Sequence, residues 1–283
     1  MMVSRLSATT VGNDEHAALI AACEPGVGLC TIVNIEGGFS RRLGAQLAIG
    51  EGCLTGSLSD GCLEAQLAAD MRKLTHPRVI RYGAGSPKID FRLPCGGGLD
   101  ILLDPSPDRT ACRRAVEQLG DRSPAELGLP PNPFLKRRRY LPSLRLLAFG
   151  EGPELRCLEE LAEAMDLSLS SFDKTRLTLG RPAPECRPDA WTAALLLFHD
   201  HEWEGALLEQ MLDSDAFYVG AQGGEKAREA RTFDLIARGL SEEKVARIRS
   251  PVGLIPSCKT PRLVALSALA EICAQYERLL EHS

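Results

Sequence analysis

The pattern of hydrophobic and polar residues differs between the two halves of the chain. In the first half, apolar runs rich in β-branched residues lie between glycines, and other stretches show the apolar spacing of helices. The predicted elements are a helix over 14–24, a strand over 29–35, a hairpin of 45–49 and 52–55, a helix over 61–73, strands near 78–82 and 99–104, and a helix over 108–120. We therefore predict an N-terminal domain of mixed sheet and helix over residues 1–120.

The second half alternates between short apolar runs and helical segments. The predicted strands are 144–149, 167–172, 191–198 and 216–219, and Thr260-Pro261 begins a last helix that runs to about residue 280. Strands that alternate with helices form a parallel sheet wound by right-handed crossovers. We therefore predict the α/β class, with a C-terminal Rossmann-like parallel-sheet domain over residues 144–283.

Residues 121–143 have a different composition from both halves. Five prolines exclude a continuous helix there, and Lys136-Arg-Arg-Arg139 forms a local basic run. We predict a Pro-rich linker, with the basic run as a solvated patch rather than a phosphate site.

Composition and charge exclude several classes of protein. The chain is 44% hydrophobic and 25% charged, and its net charge of −5 argues against a nucleic-acid surface. No apolar run is long enough to span a membrane, and the first residues do not form a secretory signal, so the protein is expected in the cytoplasm. None of the ten cysteines forms a Cys-x-x-Cys pair, and most are expected to be reduced, buried and inert.

Two cysteine- and glycine-containing segments carry the candidate chemistry of the first half. They are residues 56–64, of sequence GSLSDGCLE, and residues 95–98, of sequence CGGG. Ser59 or Asp60 is the expected N-cap of the following helix, so that free backbone N–H groups would face a ligand above Cys62. This arrangement predicts an anion site with a reactive sulfur.

In the second half, Gly150-x-Gly152 follows a predicted strand and opens a helix, as in a dinucleotide-binding turn. Asp173 ends the next strand, where a carboxylate would bind ribose hydroxyls. Leu155 stands at the third glycine position, so the pattern favours the fold and leaves nucleotide binding open.

Three further motifs allow two interpretations each. His199-Asp200-His201 follows a strand and is interpreted as a polar loop rather than a metal site. The glycines Gly220 and Gly223 lie in a strand-to-helix turn that is equally consistent with an anion site and with a plain tight turn. Arg41-Arg42 could bind phosphate or carboxylate, or belong to a solvated loop.

Taken together, these motifs resemble the XdhC/CoxI family, the accessory proteins of xanthine dehydrogenase-type molybdenum enzymes. The resemblance depends on the order of Ser40-Arg41 with Gly44, segments 56–64 and 95–97, FGEG over 149–152, Asp173, His199-Asp200, YVGA over 218–221 and the segment 247–271. Asp60, Pro153 and Gly224 depart from the family pattern, so the chain is identified as a divergent member.

The resemblance implies a chaperone-like accessory protein rather than an enzyme. Such a protein binds the molybdenum cofactor (molybdopterin), delivers it to a xanthine dehydrogenase-type molybdoenzyme and takes part in sulfuration of the metal. Cys62 and Cys95 would contact molybdenum or its sulfur. The residues assigned to cofactor binding are Cys62, Cys95, Ser57, Ser59, Gly61, Gly96, Gly97 and Arg41, and in the second half Gly150, Gly152, Asp173, Gly220 and Gly223.

The implied partners are the molybdoenzyme, a sulfurtransferase and a second copy of the chain in a homodimer, with a nucleotide as a further ligand of the Rossmann-like domain. Neither nucleic acid nor membrane is expected. Two rival functions stay open on the sequence. One is an NAD(P)-dependent oxidoreductase, and the other is a nucleotide-sensing assembly partner that carries no cofactor.

Overall fold

The computed structural model describes residues 14–59, 61–87 and 96–281, and the chain divides into two compact units, residues 1–142 and 143–283. The elements of the first unit are α1 (Asp14–Ala21), β1 (Gly28–Glu36), β2 (Gln46–Ile49), β3 (Leu54–Gly56), α2 (Cys62–Met71), β4 (Arg78–Gly83), β5 (Gly98–Asp104), α3 (Arg109–Gly120), β6 (Ala125–Gly128) and β7 (Arg137–Tyr140).

An antiparallel sheet of order β3-β2-β1-β5-β4 forms the centre of the first unit. Successive residues of a strand point to opposite faces, and β1 is apolar on both faces. Cys30 and Ile32 pack in a core with α2, whereas Leu29 packs in a second core with α1 and α3. The sheet is therefore covered on both sides.

Residues 121–143, predicted as a linker, instead contribute a hairpin to the first unit. Strands β6 and β7 pair in antiparallel fashion, and Leu127 and Tyr140 are buried in the core beside α3. The prolines at 130, 131 and 133 lie in the connection between the strands, where no ladder hydrogen bond is needed. The Asn132 side chain accepts from the backbone N–H groups of Phe134 and Leu135, at 3.0 and 2.9 Å. Proline thus excludes a helix here without excluding a hairpin.

The second unit has the alternation that the sequence predicts. Its elements are β8 (Arg145–Gly150), α4 (Pro153–Ala164), β9 (Ser168–Phe172), β10 (Thr192–Leu197), a 3₁₀ turn (His201–Trp203), α5 (Glu204–Leu212), β11 (Tyr218–Ala221), α6 (Glu225–Ala237), α7 (Glu242–Val245), β12 (Ile248–Arg249) and α8 (Pro261–Glu281). The sheet order is β12-β11-β10-β8-β9, and every described pairing in it is parallel.

Helices cover both faces of this parallel sheet, as buried parallel strands require. One core contains residues of α4 and α8, and the other contains residues of α5 and α6. Ala265 and Ala268 of α8 are fully buried in the first of these cores, so the small face of that helix packs inward. The predicted α/β class and Rossmann-like architecture are confirmed. Among the described residues, no helix combines the length and the apolar character that a membrane span needs.

Candidate functional site

Three loops of the first unit emerge at one end of its sheet. The strands β1, β3 and β4 end there, and β2 and β5 begin there, as the antiparallel register requires. In that register Gly98 pairs with both Glu36 and Gly83, and Gln46 pairs with Thr31. The segments that join β1 to β2, β3 to α2 and β4 to β5 therefore share this edge. Every site residue predicted in the first half belongs to these segments or to the first turn of α2.

The segment after β3 is tied to the segment after β1 by side-chain hydrogen bonds. Arg41 Nη2 donates to Ser57 Oγ at 3.2 Å, and Ser57 Oγ donates to the carbonyl oxygen of Ser59 at 3.1 Å. The structure thus brings together Arg41, Ser57 and Ser59 on an exposed surface, three of the residues that sequence reasoning selected.

Glu64 accepts hydrogen bonds from three backbone donors of the loop before α2. Its Oε1 accepts from the N–H groups of Leu58 and Ser59, at 2.9 and 2.5 Å, and its Oε2 accepts from Gly61 N–H at 2.8 Å. Burial alone would raise the pKa of Glu64, but these N–H donors favour the ionised form and hold the pKa below its ordinary value. The loop thus contains its own anion.

The predicted N-cap of α2 is therefore wrong, and three backbone donors of the loop before α2 are already used. The residue before the helix is Gly61, with φ of 101°, and not Ser59; Asp60, the alternative cap, lies outside the described residues. The N–H groups of Leu58, Ser59 and Gly61 are not free for a phosphate, because Glu64 already accepts from them. A glutamate at the third helical position is the sequence signal for such back-bonding, and sequence reasoning missed it.

Cys62 is the first residue of α2, and its thiol is exposed. Among the residues that the structure describes, none has an atom within 4 Å of a side chain added at Gly61. Cys95, its predicted partner, lies outside the described residues. The approach of the two sulfur atoms is therefore still a prediction.

Four of the other described cysteines are buried, namely Cys23, Cys30, Cys112 and Cys186. Burial raises the pKa of Cys112 and Cys186 to about 11, and it also raises that of Cys30. Cys53 resembles Cys62 in being exposed, but it lies beyond the opposite end of the β2–β3 hairpin. Within the described part of the chain, no three histidine, cysteine or acidic side chains are grouped as metal ligands would be.

Gly96 and Gly97 lead into β5 at the same edge of the sheet. The Gly97 carbonyl accepts from Ala84 N–H at 2.9 Å, and the Gly97 Cα lies 3.5 Å from where a side chain at Gly37 would begin. Arg81 supports this region, because it donates to the Ala84 carbonyl at 2.8 Å and to Asp100 at 2.7 Å. Gly97 is therefore held next to the turn that follows β1.

A basic cavity of about 180 Å³ opens beside Arg41 and Ser57. Its lining residues are Ser40, Arg41, Arg42, Ala45, Gln46, Ser57 and Arg138. Arg138 comes from the basic run that the sequence assigns to a solvated patch. It is half-buried, whereas the neighbouring Arg137 and Arg139 are exposed. The prediction is thus wrong for one arginine of the run, because alternate residues of β7 face inward.

In the second unit, Gly150 and Gly152 form the expected turn between β8 and α4. A side chain at Gly150 would lie 2.8 Å from the Leu197 carbonyl oxygen, so only glycine permits this approach of β8 and β10. Asp173 follows β9 as predicted, but its carboxylate accepts from Thr175 N–H and Oγ1, at 2.9 and 2.5 Å. The bonds from Thr175 hold the pKa of Asp173 below its ordinary value.

Acidic side chains lie where a dinucleotide phosphate would approach. Glu154, in the first turn of α4, is buried, and its Oε2 lies 3.4 Å from His199 Nε2. Lys174 forms ion pairs with Glu151 and Asp200, at 2.7 and 3.4 Å, and so joins the turn after β8 to the loop after β10. The carboxylate of Glu154 thus compensates part of the positive charge at the N-terminal end of the α4 dipole.

The other two predicted glycines have structural roles. Gly220 is buried within β11, and a side chain there would lie 2.6 Å from the Tyr218 ring. Gly223, with φ of 129°, turns the chain towards α6, and a side chain there would overlap Ala227. These contacts favour the tight-turn interpretation over an anion site.

Comparison with known proteins defines the class. Residues 21–83 match the XdhC and CoxI family, and residues 146–272 match the XdhC Rossmann domain. The chain is 32% identical to the molybdenum cofactor insertion chaperone PaoD of Escherichia coli (strain K12), over 92% of this chain and 89% of PaoD. The protein thus has the two-domain organisation of an XdhC-type accessory protein. It belongs to the XdhC/CoxI family, as the sequence motifs predict.

Two further proteins resemble the chain at lower identity. The chain is 24% identical to the uncharacterized protein YqeB of Escherichia coli (strain K12), over 86% of this chain but only 42% of YqeB. A crystal structure described as a xanthine dehydrogenase from Bacillus halodurans superposes with a TM-score of 0.70 at 19% identity, over 92% of this chain and 95% of the other. At that identity the second likeness shows the fold alone.

Proposed function

We propose that the protein binds the molybdenum cofactor and inserts it into a xanthine dehydrogenase-type molybdoenzyme. The observation that carries the proposal is the 32% identity to a molybdenum cofactor insertion chaperone along nearly the whole length of both chains. Both family matches agree with it. In this account the cofactor is cargo that the protein delivers, and the chain performs binding and release rather than turnover of a substrate.

The edge of the first-unit sheet at which the three loops emerge has features suited to binding this cofactor. The exposed Cys62 thiol provides a soft donor of the kind that a molybdenum–sulfur centre accepts. Arg41 and the basic cavity beside it provide positive charge for an anionic group. No described residue fills the space next to Gly61, where a ligand of the thiol would lie. These features support the assignment of Arg41, Ser57, Ser59, Gly61 and Cys62 to the binding surface.

Cys95, Gly96 and Gly97 complete the proposed surface from the segment before β5. The sheet register places the start of β5 at the same edge as the end of β3. In the proposal, Cys95 is the second sulfur ligand of the metal, and the two glycines allow the cofactor to approach the backbone closely.

A direct test uses purified protein and cofactor released anaerobically from another molybdoenzyme. After removal of unbound ligand, we expect molybdenum and pterin to remain with the protein in equal amounts. We also expect the loaded protein to activate a xanthine dehydrogenase-type apo-enzyme faster than the same concentration of free cofactor. If no cofactor is retained, or if retained cofactor cannot be transferred, the proposed function is wrong.

Two further partners belong to the proposal. A sulfurtransferase would supply sulfur to the metal, and a second copy of the chain would form a homodimer. Co-elution of the purified protein with a cysteine desulfurase-type sulfurtransferase tests the first partner. Light scattering during gel filtration tests the second, with a mass of twice 30.6 kDa expected for the dimer.

We propose that the second unit does not bind a dinucleotide. This proposal argues against the alternative function, an NAD(P)-dependent oxidoreductase. The Rossmann turn is present, but the buried Glu154 carboxylate lies in the first turn of α4, where a pyrophosphate would need positive potential. The Asp173 carboxylate is bonded to Thr175. Any nucleotide that binds this unit, as the sensing alternative requires, has to displace these internal contacts.

A further inference from the structure

The basic cavity of the first unit has the composition of an anion site. Its seven lining residues include three arginines, two serines and one glutamine, and no carboxylate. Guanidinium groups match phosphate oxygens with parallel pairs of N–H donors, and serine hydroxyls can add further bonds. Its volume of about 180 Å³ lies below the range of about 300–1,000 Å³ for sites that enclose a whole ligand. The cavity is therefore suited to one group of a larger molecule.

The wall that carries Arg138 is fixed by packing. The Arg138 guanidinium lies 5.0 Å from the centre of the Tyr140 ring, and a side chain at Gly44 would come within 2.7 Å of Arg138 Cδ. Gly44 also has φ of 81°, a backbone conformation that favours glycine, and the absence of a side chain there leaves room for Arg138. The hairpin and the turn before β2 thus hold Arg138 in one place.

The floor of the cavity is fixed by a buried chain of hydrogen bonds. Tyr140 Oη donates to Gln46 Oε1 at 2.6 Å, and Gln46 Nε2 donates to Thr31 Oγ1 at 3.0 Å. All three side chains are buried. A site built on such side chains keeps its shape before a ligand arrives, which lowers the entropic cost of binding.

The cavity also adjoins the proposed cofactor surface. Ser57 lines the cavity and accepts a hydrogen bond from Arg41, and the loop that begins with Ser57 ends at Cys62. Glu64 already accepts from the backbone N–H groups of Leu58, Ser59 and Gly61, so these three donors are not available to a phosphate. The basic cavity places three arginines beside Ser57, at the start of this loop.

We propose that this cavity binds the phosphate monoester of the cofactor's pterin side chain, and that Arg138 determines the preference for the phosphorylated form. The proposal depends on the proposed function for the identity of the ligand, but the cavity's affinity for phosphate can be measured separately. Arg41 and Arg42 hold the phosphate from the segment after β1, and Arg138 holds it from β7.

The test compares Arg138→Gln with Arg139→Gln in the full-length protein. Both variants remove one positive charge from β7, but Arg139 is exposed and does not line the cavity. The ligands are released molybdenum cofactor, the same cofactor after phosphatase treatment, and inorganic phosphate alone. Arg42→Gln and Arg138→Lys are added in case Arg138→Gln loses thermal stability. Arg138→Lys keeps the charge and removes the paired donors.

We expect the wild type and Arg139→Gln to bind the phosphorylated cofactor at least about tenfold more tightly than the dephosphorylated form. Arg138→Gln and Arg42→Gln should reduce that ratio to near one, with Arg138→Lys between. Inorganic phosphate should raise the melting temperature of the wild type in a saturable manner, and less in Arg138→Gln. Equal binding of both forms by the wild type would overturn the subsite and leave the proposed function intact.

If neither form of the cofactor binds, the proposed function fails instead, and inorganic phosphate alone decides the subsite. A saturable stabilisation that Arg138→Gln abolishes would then support an anion site in this cavity. The absence of any saturable effect would overturn it. Equal loss of phosphate binding in Arg138→Gln and Arg139→Gln would also contradict the proposal, because it would indicate a general effect of surface charge.

Discussion

Glu64 shows how one side chain decides what a loop can bind. A glycine-rich turn at a helix N-terminus is a common anion site, because its N–H groups point in one direction. Here the Glu64 carboxylate accepts hydrogen bonds from the N–H groups of three residues in the turn before α2, and Glu64 is itself almost fully buried. The bonds stiffen the loop that presents Cys62. We therefore interpret Glu64 as a positioning residue for the exposed thiol.

Glu64→Gln should destabilise the first unit and change its response to acid. The folded-state pKa of Glu64 is lowered, so its contribution is complete above the unfolded value of 4.5 and is lost as the pH falls through the folded pKa. At pH 7 the variant should lose roughly 2 kcal/mol of unfolding free energy. The difference in unfolding free energy between the variant and the wild type should become smaller as the pH falls below 4.5.

Urea unfolding at several pH values measures this effect. Glu117→Gln is the matched control, because Glu117 is an exposed glutamate on α3. A Glu64→Gln variant that unfolds like the control at every pH would contradict the role of Glu64.

His16 should make the first unit sensitive to mild acid. Burial, together with the charge of Arg138, lowers its pKa from 6.5 to about 4. Between these values the unfolded chain binds a proton that the folded chain does not, so stability falls as the pH decreases. The full loss of unfolding free energy is about 3 kcal/mol.

Urea unfolding at several pH values tests this prediction. In His16→Gln the pH dependence of the unfolding free energy between pH 6.5 and 4 should disappear. In His76→Gln, at an exposed position, it should persist. An unchanged slope in both variants would be inconsistent with this account.

At the scale of elements, hydrophobic periodicity predicts most strands and helices of both units. It predicts the central strands best, because buried strands are long apolar runs. It misses the β6–β7 hairpin, whose strands have only four residues each and include three consecutive arginines. Their placement depends on Leu127 and Tyr140 packing against α3, which is a tertiary contact that local sequence does not encode.

The helix N-termini illustrate a second limit of sequence reasoning. Both α2 and α4 begin after glycines, and both motifs favour an anion site when read locally. In each helix a glutamate of the first turn, Glu64 or Glu154, is buried instead of facing solvent. The direction of a side chain at a helix N-terminus depends on its surroundings, so the motif alone does not decide whether a ligand or the chain itself supplies the anion.

The second unit should therefore fail to bind nicotinamide dinucleotides. We expect no saturable change in melting temperature with NADH or NADPH up to millimolar concentrations, because Glu154 repels the pyrophosphate and Asp173 is bonded to Thr175. Isothermal calorimetry provides an independent readout. A saturable stabilisation by NADH that Gly152→Ala removes would contradict this expectation and favour the oxidoreductase alternative.

At the scale of the whole molecule, the net charge and the local charge of the cavity are opposite in sign. The chain carries a formal charge of −5, yet three arginines converge on one small cavity of the first unit. An anionic ligand is thus attracted to one place rather than to the surface in general. The sequence motifs identify the family, but the cavity requires residues from 40 to 138 to meet, and no local pattern predicts that meeting.

The most direct test of the central claim is the amount of molybdenum cofactor retained by cysteine variants of the full-length protein. The matched control is Cys53→Ala, which removes an exposed thiol close to Cys62 in sequence. We predict that Cys62→Ala and Cys95→Ala each bind the cofactor at least about tenfold more weakly than wild type, whereas Cys53→Ala binds it equally well. Wild-type affinity in both Cys62→Ala and Cys95→Ala would contradict the proposed binding surface.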